Sequence, residues 1–230
     1  MKNIFSYIIF SFLAVVFVLI LVFLNPNTTN IISFLERLFV AGIFITSCLF
    51  GISIATYPNW WRKIQQNKNK TLETKSGKSK RQFKGHHPDC NFFINHVIKI
   101  RKKTRCAGCF GLIIGSVISI FLMIFYLLIP PSQHLIIWYF ILIIGLLIIP
   151  LIYLEIIFSK RNINIHIISN IVFILGFFCI TISIFEITRN FIYAILAIIF
   201  CFLWLDTRIR LSKYQHSRIC AFCKQTCKSF

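Results

Sequence analysis

The chain has 230 residues, of which 57% are hydrophobic and 13% charged, with 26 phenylalanines and a mean hydropathy of +0.80. A water-soluble domain cannot hide that much apolar surface, so the composition excludes one and points to an integral membrane protein. Lys and Arg number 25 against 6 Asp and Glu, a net charge of +19, and their distribution carries the topology.

A helix crossing roughly 30 Å of hydrocarbon needs about 20 predominantly apolar residues. Such runs occur at Ile4–Leu24, Leu38–Tyr57, Phe110–Ile129, Leu135–Leu154 and Ile167–Phe185, with a shorter sixth at Phe191–Leu205. The first is longer than a secretory signal core, and Asn25-Pro-Asn-Thr after it offers no small-x-small cleavage site, so it reads as a retained helix. Pro150 falls near the end of the fourth run, where a proline bends or stops a membrane helix at limited cost.

The sixth run reaches only about 22 Å at 1.5 Å per residue, so it must recruit its flanks to span. Charge favours that outcome. With six crossings, Lys2, the 14 basic residues between Arg62 and Arg105, Lys160, Arg161 and the 6 from Arg208 to Lys228 share one side, leaving Arg37 and Arg189 on the other. This is the asymmetry of the positive-inside rule, with both termini in the cytoplasm of a cell-membrane protein.

The expected organisation is a transmembrane hairpin over residues 1–57, a basic linker over 58–84, a metal-binding hairpin and knuckle over 85–109, helices three to six over 110–205, and a cytosolic Cys-rich tail over 206–230. The linker, polar and low in apolar residues, has the composition of a disordered segment. Its basic residues suit anionic lipid headgroups as a partner. No nucleic-acid-binding module accompanies them, so nucleic acid is not an expected partner.

Within the loop, His87-Pro-Asp-Cys90 and Cys106-Ala-Gly-Cys109 are separated by fifteen residues, the spacing of a zinc ribbon. Residues 96–100 alternate like a short strand, so a hairpin with Lys102 and Lys103 in its turn would deliver Cys106 and Cys109 as a knuckle. So small a unit buries too little to fold alone, and a metal would contribute its stability. Thiolate and imidazole donors in fours suit tetrahedral zinc, which predicts a site at His87, Cys90, Cys106 and Cys109. His86 could replace His87, and His96 could substitute or stand behind the ligands. The plainer alternative is unligated thiols in a reducing compartment, where a disulfide is not expected.

The tail adds His216, Cys220, Cys223 and Cys227, a second candidate zinc set or, through Cys220 and Cys223, a contributor to a site shared with Cys106 and Cys109. An iron–sulfur cluster is disfavoured, because the spacing matches no common ferredoxin run. Cys48, Cys179 and Cys201 lie in apolar runs and read as small core side chains. Glu155 and Glu186 fall at helix ends, where interfacial placement explains them.

No GxSxG, HExxH, paired carboxylates or phosphate loop is present, so no catalytic residue is assigned. A redox CxxC would normally open a helix within a βαβ unit, and no such unit is read here. Gly111 and Gly115 form a GxxxG face, suited to internal helix packing or a dimer seam.

Residues 85–115, with His86-His87-Pro88-x-Cys90, His96-Val-Ile, Cys106-Ala-Gly108-Cys109 and Phe110-Gly111, resemble the signature of a family of small, uncharacterised prokaryotic, largely archaeal, integral-membrane proteins. Its pattern leads from a His-Pro/Cys segment to a Cys-x-x-Cys-x-Gly that enters a helix. The resemblance implies a membrane protein of that kind and no activity. The expected fold is thus all-α, six transmembrane helices with a small cytosolic zinc-ribbon-like cap. The expected role is a scaffold or accessory subunit that binds a protein partner or a second copy, against the alternatives of a thiol or metal redox protein and a metal carrier.

Overall fold

A computed structural model describes residues 2–27, 32–56, 97–100, 103–129, 134–158 and 162–221. Helices α1 (Lys2–Leu24), α2 (Phe34–Thr56), α3 (Ala107–Leu128), α4 (Leu135–Phe158), α5 (Ile163–Thr188) and α6 (Phe191–Ala221) alternate in direction, and strands β1 (Val97–Ile100) and β2 (Lys103–Cys106) precede α3. All six helices are long and apolar enough to cross a membrane, the architecture of a multi-pass membrane protein. Their outward surface is rich in large apolar side chains such as Phe121 and Leu128, the surface that hydrocarbon covers. The end where α1, α3 and α5 begin is called the base, and the opposite end the crown.

Local capping sets several helix boundaries that hydropathy misses. Ser33 and Glu36 form a reciprocal capping box, with Ser33 N–H donating to Glu36 Oε2 at 2.9 Å and Glu36 N–H to Ser33 Oγ at 3.2 Å. Helix α2 therefore starts at Phe34 and carries Glu36 and Arg37. Asn162 Oδ1 accepts from Asn164 N–H at 3.1 Å, which starts α5 at Ile163 and draws His166 into the helix. Asn190 Oδ1 accepts from Ile192 N–H at 2.9 Å and starts α6 after a two-residue connection. Arg189, in that connection, takes the left-handed conformation at φ 51° and ends α5 by donating its N–H to Phe185 O at 2.9 Å.

Two further boundaries, at α6 and α3, also differ from the sequence reading. Helix α6 does not stop near Leu205 but runs on to Ala221, recruiting Asp206, Arg208 and Arg210 into a continuous 25-residue candidate span. The tail boundary at 206 therefore falls inside a helix. Helix α3 begins at Ala107 rather than Phe110, so the residues expected as a free knuckle form a strand end and the first helical turn. The hairpin itself is present, pairing Val97 with Cys106 and Ile100 with Lys103, which places Lys103 in a strand rather than in the turn. Pro150 lies on the exposed face of α4, and the helix continues past it to Phe158. The basic linker, His86, His87, Cys90, His96, Cys223 and Cys227 lie outside the described residues.

Helix α5 is the centre of the bundle. It packs against α3, α4 and α6, and from Phe173 to Thr188 almost every side chain is buried. Small residues permit this. A Cβ on Gly111 would lie 2.5 Å from the Ile167 carbonyl oxygen, and one on Gly145 would lie 2.8 Å from Ile180 Cγ1. With small or absent side chains the helices approach backbone to backbone, where packing rather than hydrophobic transfer holds membrane helices together. The GxxxG face of Gly111 and Gly115 is turned toward Ile167, Ile171 and Ile174 of α5.

A second tie joins α1, α4 and α6. Ser11 Oγ lies 3.0 Å from Tyr153 Oη and donates to Thr207 Oγ1 at 3.0 Å, while Tyr153 donates to the Trp204 carbonyl at 3.0 Å. Trp204 Nε1 in turn donates to the Ser11 carbonyl at 3.1 Å. Buried in an apolar medium, these polar groups are stable only because each finds a partner.

Candidate functional site

The site lies at the base, where α3 begins. Cys106 is the residue before the helix, in extended conformation at φ −66° and ψ 128°, and Cys109 sits in the first turn. Strand β2 sends the chain into α3 at Cys106, and Gly108 between the cysteines lets α5 come close: a Cβ there would lie 3.5 Å from Asn170 Nδ2 and 3.7 Å from Cys106 Sγ. The two thiols are half-buried and hydrogen-bonded to one another. Cys106 is the cap residue of α3 and makes no side-chain cap hydrogen bond, so its sulfur does not satisfy the leading N–H groups of that helix.

Behind the thiols is Arg208 of α6. Its side chain is 6% exposed, its guanidinium carbon lies 5.7 Å from the centroid of the Phe173 ring, and its Nε has no hydrogen-bond partner among the described residues. Its charge acts on Glu155, Cys106, Cys109 and Tyr153. Glu155 of α4 is the carboxylate of this cluster. Its Oε1 lies 3.3 Å from His166 Nδ1, and its Oε2 accepts from Ser169 Oγ at 3.3 Å. Asn170 Nδ2 donates to the His166 carbonyl oxygen. Helices that meet only in the folded chain thus bring one cation, one carboxylate, an imidazole and two thiols together under a membrane surface. Burying the cation so deeply is costly unless an anion shares its surroundings, and Glu155 is the carboxylate whose charge acts on it.

Of the residues singled out in the sequence, the structure brings Cys106 and Cys109 together and turns Gly111 and Gly115 onto α5. His216 and Cys220 lie on the last turns of α6, with only their backbone described. Cys48 and Cys201 are buried in the apolar core, and Cys179 is half-buried there. Among the described residues no three His, Cys, Asp or Glu side chains converge as a metal-holding group. The described chain thus presents a pair of sulfur donors, two of the four that zinc takes.

Sequence reasoning does not single out His166, Ser169 or Asn170, and it places Arg208 in an aqueous tail and Glu155 at an interfacial helix end. The signal for α5 was present: His166, Ser169 or Asn170, Phe173 and Phe177 recur every three or four residues, so the buried aromatic stripe continues as a polar one. At the crown, Glu186 is completely buried although it lies near a helix end. It accepts from Tyr126 Oη, and its Oε2 lies 3.8 Å from Arg189 Nη1.

No family model matches the chain, and comparison with curated proteins and with solved structures returns no match.

Proposed function

We propose that this protein is a membrane scaffold or accessory subunit whose base is held by one structural zinc, with Cys106 and Cys109 as two ligands and His87 and Cys90 as the others. The observation that carries this reading is the placement of a hydrogen-bonded thiol pair at the start of a membrane helix, with a buried guanidinium behind it. Zinc bound by three thiolates and one imidazole bears a net negative charge, which Arg208 offsets from the protein side. His87 and Cys90 enter on ribbon spacing, with His86 or His96 as substitutes. The set at His216, Cys220, Cys223 and Cys227 is proposed as a second site or as a partner to the first.

The joint explains the role. A metal knuckle continuous with α3, and α3 locked on α5 through Gly111, hold a cap at a fixed height and angle, as a docking surface requires. Positive-inside charge puts that cap in the cytoplasm, against anionic headgroups, where a protein partner or a second copy would meet it.

Metal analysis tests the reading. The purified protein should hold about one equivalent of zinc through this site, and Cys106→Ser should release it and open the preceding segment to protease. Cys179→Ser, away from the site, should do neither. Unchanged zinc and unchanged proteolysis in Cys106→Ser would sink the proposal.

A further inference from the structure

The cysteine pair has a geometry that zinc ligation does not require. Zinc ligands need only converge on a metal, whereas these thiols are in contact with each other, one at the cap and one in the first turn of α3. Helical neighbours three apart hold their Cβ atoms about 5–6 Å apart, and a disulfide draws them to about 3.8 Å. Cys106 is the non-helical member, so a turn about its own backbone closes the difference without unwinding α3. Arg208, nine-tenths buried with an unpartnered Nε, is close enough for its charge to act on both sulfurs. The His166–Glu155 pair stands beside Cys106, with the imidazole acting electrostatically on that sulfur.

We propose that Cys106 and Cys109 are a reversible dithiol–disulfide site that exchanges with an external disulfide. One cysteine sulfur attacks the external disulfide, forming a mixed disulfide and releasing one thiol. The second cysteine then attacks the mixed disulfide, closing the Cys106–Cys109 bond and releasing the other thiol. The external disulfide gains two electrons, the cysteine pair loses two, and the two cysteine protons leave with the released thiols or pass to solvent. Both sulfurs cease to be thiolate donors, so any zinc they hold is expelled. That last consequence alone rests on the zinc reading, and it would make the cap responsive to redox state.

Full-length protein in detergent, as purified and after chelator treatment, is equilibrated in glutathione buffers of stepped ratio, quenched with an alkylating reagent and peptide-mapped. The expected result is one step in which Cys106 and Cys109 become unreactive together and appear in a peptide lighter by two hydrogens. Cys109→Ser should instead stop at a glutathione adduct on Cys106, and Cys106→Ser at one on Cys109. Retention of both alkylatable thiols in chelator-treated protein, under buffers that oxidise an ordinary structural disulfide, overturns the proposal; so does pairing of Cys106 with any other cysteine. Zinc measured in the same samples judges the metal reading separately. Bond formation in protein that never contained zinc supports the exchange site and refutes the zinc site, whereas bond formation without any loss of zinc refutes the assignment of these two ligands.

Discussion

Tyr126 donates a hydrogen bond to the completely buried carboxylate of Glu186, joining α3 to the last turn of α5 at the crown. Arg189 Nη1, 3.8 Å from the other carboxylate oxygen, is the only further charge partner within ion-pair distance among the described residues. Removing the phenol would leave a buried acceptor short of a donor, which costs about 1–3 kcal/mol. Tyr126→Phe should therefore lower the thermal unfolding midpoint in detergent while leaving zinc content unchanged. Combining it with Glu186→Gln should cost less than the sum of the two single changes, since the same interaction is removed twice. Additive losses would show that the two groups act independently.

Gly111 sets the separation of α3 and α5. Because a Cβ there meets the Ile167 carbonyl oxygen at 2.5 Å and Asn170 Cβ at 2.8 Å, Gly111→Ala must push two backbones apart. Overpacking of this kind costs roughly 1–3 kcal/mol. Gly42→Ala provides the contrast, since an added methyl there would meet nothing within 4 Å, and the gain in helix propensity should hold or slightly raise stability. Equal effects at the two glycines, read by thermal unfolding, would remove close packing as the reason for Gly111.

Arg208 offsets charge that other elements bury. Arg208→Met should lower the stability of the fold, because it removes the cation whose charge acts on Glu155 and leaves that carboxylate only His166 at 3.3 Å. Pairing it with Glu155→Met should recover part of the loss, as removal of both charges leaves no unpaired ion. Arg208→Lys, which preserves the charge, should lie between wild type and Arg208→Met. Chemical unfolding of the three variants checks the order.

The proposal that the tail lies on the inner side of a six-crossing chain makes a labelling prediction. A thiol reagent that cannot cross membranes should miss Cys223 in intact cells and reach it after permeabilisation, since in that topology 23 of the 25 basic residues would share its side. Labelling of Cys223 from outside intact cells would reverse the orientation or remove one crossing.

What the sequence determined by itself was the number and order of the helices. A helix that spans lipid must satisfy its backbone internally and present apolar side chains over about 20 residues, and both conditions are local. Ile4–Leu24 was legible to the residue for that reason. The short hairpin before Cys106 was legible too, because alternation over residues 96–100 is a property of adjacent positions. The CxxC pair is equally local, since three residues of separation at a helix start bring two side chains together whatever surrounds them.

The tertiary structure alone decided which charges lie inside. Hydropathy ended the sixth run at Leu205 because Asp206, Arg208 and Arg210 follow, and each would be costly against lipid. Yet α6 rotates Arg208 toward Phe173, Glu155 and the two thiols, while Arg210 stays outward with Asp206 at 2.6 Å. Whether a charge can be buried depends on partners contributed by other helices, and a window moving along one chain cannot contain them. Glu186 shows the same at the crown. The sequence places it at a helix end, and only the approach of Tyr126 from α3 and the left-handed turn at Arg189 make its burial tolerable.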